Sequence, residues 1–205
     1  MRVPLDVAVA LVGRLVARTA EWTYGDPADP TVDMGTVIDA AAAAAFESKV
    51  RAAVEQGARL LYGNRREGAL YSPTMLDHVS PGMEVVRTET FGPVSPVIRF
   101  KDIDDAIRIS NSTAYGLSSA VCTNRLDHIA RLVAELDVGN VNVREVPGYR
   151  SVTRPTSGTK VYVRGYQEAV LEALMSFHNV KTQTRPRTWR GASEMILRFA
   201  ADPRP

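Results

Sequence analysis

The chain has 205 residues, 45% apolar and 23% charged, so it can bury one sizeable core with a small appendage. A formal net charge of +2 is too weak to imply nucleic acid or an acidic membrane surface as a partner. The single cysteine, Cys122, excludes an intrachain disulfide framework and fits a reducing compartment, so a cytoplasmic location is expected.

Asp6 is expected to cap a helix reaching about Glu21, with Val7, Leu11, Val12, Leu15 and Val16 on its buried face. The run Val7 to Val12 is bracketed by Asp6 and Arg14, which argues against a signal peptide. No apolar run has the roughly 20 residues a membrane span needs. Gly25-Asp26-Pro27-Ala28-Asp29-Pro30 ends the helix in a rigid loop that continues through Asp33-Met34-Gly35. Asp39 is expected to cap a second helix through Gln56, stopped by Gly57, with Phe46, Val50 and Val54 buried. Its run of alanines reads as helix rather than low complexity.

Arg59 to Tyr62 reads as a strand and Gly63 to Gly68 as a polar turn. Leu70 to Leu76 is extended but broken by Pro73, which predicts a place at a sheet margin or outside the main sheet. Pro96 to Phe100 reads as a strand. Asp102 and Asp105 form the acidic first turn of a helix over Ile103 to Asn111, where carboxylates suit the helix dipole. Ser118 to Cys122 reads as an apolar strand in which Cys122 is a small buried thiol rather than a reactive one. Asn124 is expected to cap a helix from Arg125 to Leu136. Asn140 to Val143 reads as a short buried strand. A loop from Pro147 to Arg164, a helix from Tyr166 to Met175 and a strand from His178 to Thr184 follow. Strands alternating with helices predict an α/β fold: a mostly parallel sheet flanked by helices.

Between these elements lies Glu89-Thr90-Phe91-Gly92-Pro93. A carboxylate and an aromatic ring two residues apart offer an acceptor and an apolar plate, on a backbone stiffened by glycine and proline. Taken alone, the segment is equally well a turn entering the next strand.

Together the segments resemble the aldehyde dehydrogenase superfamily over about nine tenths of the chain. Gly25-Asp26-Pro27, Asp33-Met34-Gly35, the pentapeptide, Asn111 with Tyr115-Gly116-Leu117, Gly139 with Val141-Asn142, and Ser157-Gly158-Thr159-Lys160 stand in family order. Glu145 to Arg150 and Ser118 to Arg125 look most like the phosphonoacetaldehyde dehydrogenase branch. The resemblance implies attack of a cysteine thiolate on an aldehyde, hydride transfer from the thiohemiacetal to NAD or NADP, and hydrolysis of the thioester to the acid. It implies that Glu89 accepts hydrogen bonds from the nicotinamide ribose, that Phe91 packs against the nicotinamide, and that Arg150 sits at the substrate mouth. A guanidinium suits a phosphonate there. A plain surface-loop role for Arg150 fits as well. Asn142 and Lys160 match supporting positions without a chemical role.

Two departures from the family stand out. Its Gly-Gln-x-Cys nucleophile segment, general-base glutamate and nucleotide-binding domain would all fall upstream of Met1, so the chain alone is expected to be inactive. Between Thr156 and Gly165, Thr156, Ser157, Tyr162 and Val163 replace the family's phenylalanine, glycine, serine and glycine, which predicts a different loop path.

The histidines, His78, His128 and His178, show no metal spacing. The expected organisation is a truncated catalytic domain over 1–177, a subunit-pairing strand over 178–184, and a basic tail over 185–205. That tail, with Arg185, Arg187, Trp189 and Arg190, reads as solvated rather than as a nucleic-acid contact. Two functional classes remain. One is a piece of an NAD- or NADP-dependent dehydrogenase of a small aldehyde. The other is a non-catalytic partner of full-length relatives, joined through the pairing strand, or an unselected remnant.

Overall fold

A three-residue strand, β1 (Arg2–Pro4), runs straight into helix α1 (Leu5–Ala20). The computed structural model describes residues 1–149 and 158–162. The N-cap position of α1 is Pro4 (φ −64°), and Asp6 lies inside the first turn. The expected Asp6 cap is therefore displaced, because a proline fixed near helical φ lets strand pass into helix without a loop. Ala8 and Val12 are the buried positions of α1, with Leu15 and Val16 packed beside them, whereas Val7 and Leu11 face outward.

The following loop folds on itself. The Gly25 N–H donates to Met34 O at 3.1 Å. The carboxylate of Asp33 accepts from the Thr23 amide and hydroxyl, both at 2.9 Å. A Cβ on Gly35 would stand 2.9 Å from Pro27 Cβ, so the two loop motifs meet at a contact only glycine allows.

Helix α2 (Ala40–Glu55) begins as the sequence predicts, with the Asp39 carboxylate accepting from Ala42 N at 2.7 Å. Gly57, at φ +102°, ends it. Its buried line is Ala43, Phe46, Val50 and Ala53. Val54, one position round the helix, is exposed, so small Ala53 takes the place expected for it.

Strand β2 (Arg59–Tyr62) is followed by the small hairpin β3 (Arg66–Glu67) and β4 (Leu70–Tyr71), and then by β5 (Thr74–Asp77). The short helix α3 (Glu84–Arg87) leads to β6 (Val94–Pro96) and β7 (Ile98–Phe100). Helix α4 (Ile103–Asn111), strand β8 (Ser118–Val121), helix α5 (Leu126–Glu135) and strand β9 (Asn140–Val143) complete the regular elements of the described residues, apart from a 3₁₀ turn at Lys160–Tyr162.

The stretch Leu70 to Leu76 divides: β4 lies outside the main sheet in its hairpin with β3, as expected, whereas β5 is central, not marginal. It pairs antiparallel with β2 on one side and parallel with β6 on the other. Pro73 does not weaken it, because the strand starts one residue later, where the Thr74 N–H donates to Pro93 O at 2.8 Å. The single predicted strand Pro96 to Phe100 is two. After β6 leaves β5, β7 pairs parallel with β1. The pivot is Val97, whose amide still donates to Leu76 O.

Alternation along β5 divides the core. Met75 packs with Val3, Ala8, Val12 and Val97 on the α1 side. Leu76 packs with Val50, Ala53, Met83, Ile98 and Ile109 on the α2 side. Helices therefore cover both faces, the expected α/β arrangement.

Strands β8 and β9 form a separate parallel ladder. Strand β9 is half-buried rather than buried, and α5 has no fully buried side chain. Asn124 does not cap α5: Arg125 holds the cap position, and Asn124 Oδ1 accepts from Arg144 instead. Cys122 is exposed, contrary to expectation. The strand ends at buried Val121, and the next residue turns to the opposite side. The predicted strand at 178–184 and the tail lie outside the described residues.

Candidate functional site

The pentapeptide spans the gap between α3 and β6, and its C-terminal half is tied to the core. The Pro93 carbonyl accepts from Thr74, and the Val94 amide closes onto Gly92 O at 2.8 Å. A Cβ on Gly92 would lie 2.4 Å from Phe46 Cε2. Phe46 cannot give way freely, because its ring meets buried Tyr71 edge-on, with centroids 5.8 Å apart. Gly92→Ala is therefore expected to destabilise the chain by about 1–3 kcal/mol, read as a lower urea midpoint. An unchanged midpoint would contradict this contact.

With Gly92 and Pro93 fixed, the residues before them alternate. Thr90 turns inward, and its buried hydroxyl has no hydrogen-bond partner among the described residues. Glu89 and Phe91 turn outward. Phe91 is 85% exposed and sits at φ +31°, a backbone conformation that few non-glycine residues adopt. A large ring left in water on a constrained backbone buries nothing within the described residues, so its placement suits a ligand rather than the core.

Glu89 is held by three side chains. Lys49 Nζ, on α2, donates to the Glu89 carbonyl at 3.1 Å. The Glu89 amide donates to the Tyr115 hydroxyl at 3.0 Å. The Tyr162 hydroxyl donates to Glu89 Oε2 at 3.1 Å. The rings of Tyr115 and Tyr162 tilt against each other at 6.2 Å. Burial pushes the Tyr162 phenol pKa up, and the Glu89 acceptor and its charge push it the same way.

The turn that carries Tyr162 is stapled from below. Thr159 N donates to Gly116 O at 2.9 Å, and Thr159 Oγ1 donates to Asp137 O at 2.7 Å. Lys160 Nζ donates to the carbonyls of Asn111 and Thr113, at 3.0 and 2.9 Å, and lies 3.4 Å from the Asp137 carboxylate. Gly116 admits this turn, since a Cβ there would stand 2.2 Å from Thr159 Oγ1. Lys160 is thus a staple. Asn142 acts likewise, donating to the Val146, Pro147 and Tyr149 carbonyls and so shaping the loop before residue 150.

Of the residues singled out from the sequence, the structure leaves both Glu89 and Phe91 exposed on the surface. Arg150 lies outside the described residues, as do Ser157 and Val163. Nothing local in the sequence points to Lys49 or Tyr115 as site residues, and Tyr162 stands out only as a departure from the family loop. Among the described residues no group of three His, Cys, Asp or Glu side chains is placed to hold a metal, and no helix is long and apolar enough to cross a membrane.

Comparison with known proteins places the chain in a family. The family model described as "Aldehyde dehydrogenase family" matches residues 1–183. The sulfoacetaldehyde dehydrogenase of Neptuniibacter caesariensis is 36% identical over 168 residues, which are 82% of this chain and 37% of that protein. The 3-sulfolactaldehyde dehydrogenase of Priestia aryabhattai is 34% identical over 155 residues, 76% of this chain and 32% of that protein. The crystal structure of glyceraldehyde-3-phosphate dehydrogenase from Methanocaldococcus jannaschii complexed with NADP aligns with a TM-score of 0.83 at 32% identity, over 88% of this chain and 39% of that one. Betaine aldehyde dehydrogenase from Staphylococcus aureus in complex with NAD+ aligns with a TM-score of 0.79 at 25% identity, over 92% of this chain and 40% of that one. The chain thus spans well under half the length of these relatives. The match over residues 1–183 and the shared fold establish that this chain belongs to the aldehyde dehydrogenase family.

Proposed function

We propose that this chain supplies the coenzyme-facing wall of an NAD- or NADP-dependent dehydrogenase that oxidises a small anionic aldehyde to its acid. The observation that carries the reading is the outward pair Glu89 and Phe91 on an anchored turn. An exposed carboxylate is an acceptor for a vicinal diol, and an exposed ring is a plate for a flat heterocycle. The residues present therefore fit a nicotinamide riboside. When bound, the dinucleotide would supply the hydride acceptor. Glu89 would orient the ribose and Phe91 would limit where the nicotinamide ring can lie. Two relatives named for sulfonated aldehydes, and two solved neighbours holding NADP or NAD+, support the coenzyme and substrate class.

Phosphonoacetaldehyde, favoured by the sequence resemblance, and sulfoacetaldehyde share a tetrahedral oxyanion beside a two-carbon aldehyde. We assign Arg150 to that oxyanion. Cys122, at the end of β8, stands on a different ladder from the pentapeptide, and we assign it no part in the chemistry.

The test is a chimera in which this chain replaces the matching segment of the N. caesariensis relative. Coenzyme reduction is followed with sulfoacetaldehyde, phosphonoacetaldehyde and acetaldehyde. The expected result is at least a ~10-fold preference for the anionic aldehydes, lost in Arg150→Ala and unchanged in Cys122→Ser. Equal rates on all three aldehydes would overturn the substrate class.

A further inference from the structure

We propose that Tyr162 is a positioning residue for Glu89, holding its carboxylate in the orientation that meets a ligand's vicinal diol. This rests on the reading of Glu89 given above. The three-part grip on Glu89 divides cleanly: Lys49 and Tyr115 hold its main chain, and Tyr162 alone among them holds the carboxylate, at 3.1 Å. An exposed glutamate otherwise samples many rotamers, and a ligand that needs one of them must bear that ordering cost on binding. Tyr162 can remove part of the cost because its own position is fixed. The turn it ends is stapled by Thr159 and Lys160 to Gly116, Asn111, Thr113 and Asp137, and its ring leans on Tyr115.

The alternative, that the phenol competes with the ligand, fails on acceptor arithmetic. A carboxylate offers roughly four lone-pair sites; the phenol takes one and a diol needs two. The contact also joins residues 73 apart, and a serine at 162 would lack the ring needed to span the gap. The phenol oxygen, donating to Glu89, keeps its own lone pairs and can accept from a hydroxyl that Glu89 orients.

The test uses the full chain carrying 3-fluorotyrosine, with Tyr162→Phe identifying the Tyr162 fluorine signal. Glu89→Gln is expected to lower the pH midpoint of that signal, since it removes the charge and acceptor that favour the protonated phenol. Titration with NADH, carried out on the chimera described above, is expected to shift the same signal. Binding should weaken about three- to tenfold in Tyr162→Phe and further in Glu89→Gln. A midpoint unmoved by Glu89→Gln overturns the inference, whatever NADH does. Tighter NADH binding by Tyr162→Phe also overturns it, because the phenol would then be a competitor. A midpoint that moves, with a signal indifferent to NADH, overturns the coenzyme reading and the ligand half of this inference while leaving the contact itself confirmed.

Discussion

Glu89→Gln is expected to lower kcat/KM for the dinucleotide about a hundredfold in the chimera, with little change in folding stability. A carboxylate accepting from both hydroxyls of a diol makes two charge-assisted bonds, and each such bond contributes about 1.5–3 kcal/mol. Glutamine keeps one acceptor oxygen and turns an NH2 donor toward the other hydroxyl. Losing the better part of both bonds therefore amounts to about 3 kcal/mol, or roughly two decades. Stability is spared because the backbone of Glu89 does the anchoring. Its carbonyl takes Lys49 and its amide gives to Tyr115, and neither bond involves the side chain. The fall is expected mainly in KM if the diol contacts are equal in the ground and transition states, and in kcat if they tighten during hydride transfer. A kcat/KM within threefold of native would remove Glu89 from the coenzyme site.

How far that site was legible depends on sequence distance. Helix α2 announced itself through Asp39, the alanine run and Gly57, because caps and stops act within a few residues. The pentapeptide was legible for the same reason: carboxylate, ring, glycine and proline are adjacent. The family resemblance then gave each a role. Neither source gave the grip on Glu89. Its partners lie 40, 26 and 73 residues away, and no local pattern encodes such contacts. Tyr162 was conspicuous only as a misfit, and a bulky aromatic in place of serine reads as disruption until the chain brings it to Glu89.

The errors in the fold have equally physical causes. Strand β1 and helix α3, of three and four residues, are too short to show any period. The marginal place predicted for β5 followed from Pro73, yet a proline just before a strand costs that strand no hydrogen bond. Cys122 was predicted buried because Val121 is. Adding one residue to a strand reverses the face, so a boundary error of that size changes a thiol from core to solvent.

Asp77→Ala is expected to destabilise the chain by about 2–4 kcal/mol, and the native chain is expected to lose part of that contribution in acid. Asp77 ends the central strand at 3% exposure. Its carboxylate receives Arg99 through two bonds, Nη2 to Oδ2 at 2.6 Å and Nε to Oδ1 at 3.2 Å. It also accepts the His78 amide at 2.7 Å, which supports that residue at φ +55°. Removing the carboxylate strands a guanidinium that is only 20% exposed. Breaking a buried pair typically costs about 3–5 kcal/mol, and the partial exposure of Arg99 argues for the lower part of that range or just below it.

The acid dependence has a definite sign. Burial pushes the Asp77 pKa up, but the Arg99 hydrogen bond, the His78 amide and the Arg99 charge together outweigh burial and hold it below the usual carboxylate range. The folded carboxyl thus binds its proton less readily than the unfolded one. Its contribution is complete above the unfolded value of about 3.9 and is lost as pH falls through the lower folded value. Urea midpoints measured from pH 7 downward should therefore draw closer together for native and Asp77→Ala chains in acid. Replacing both partners, as Asp77→Leu with Arg99→Met, should recover most of the loss at neutral pH, because no charge is then left without its partner. A double variant as unstable as Asp77→Ala would mean that the carboxylate acts chiefly by holding the His78 backbone and not by neutralising Arg99.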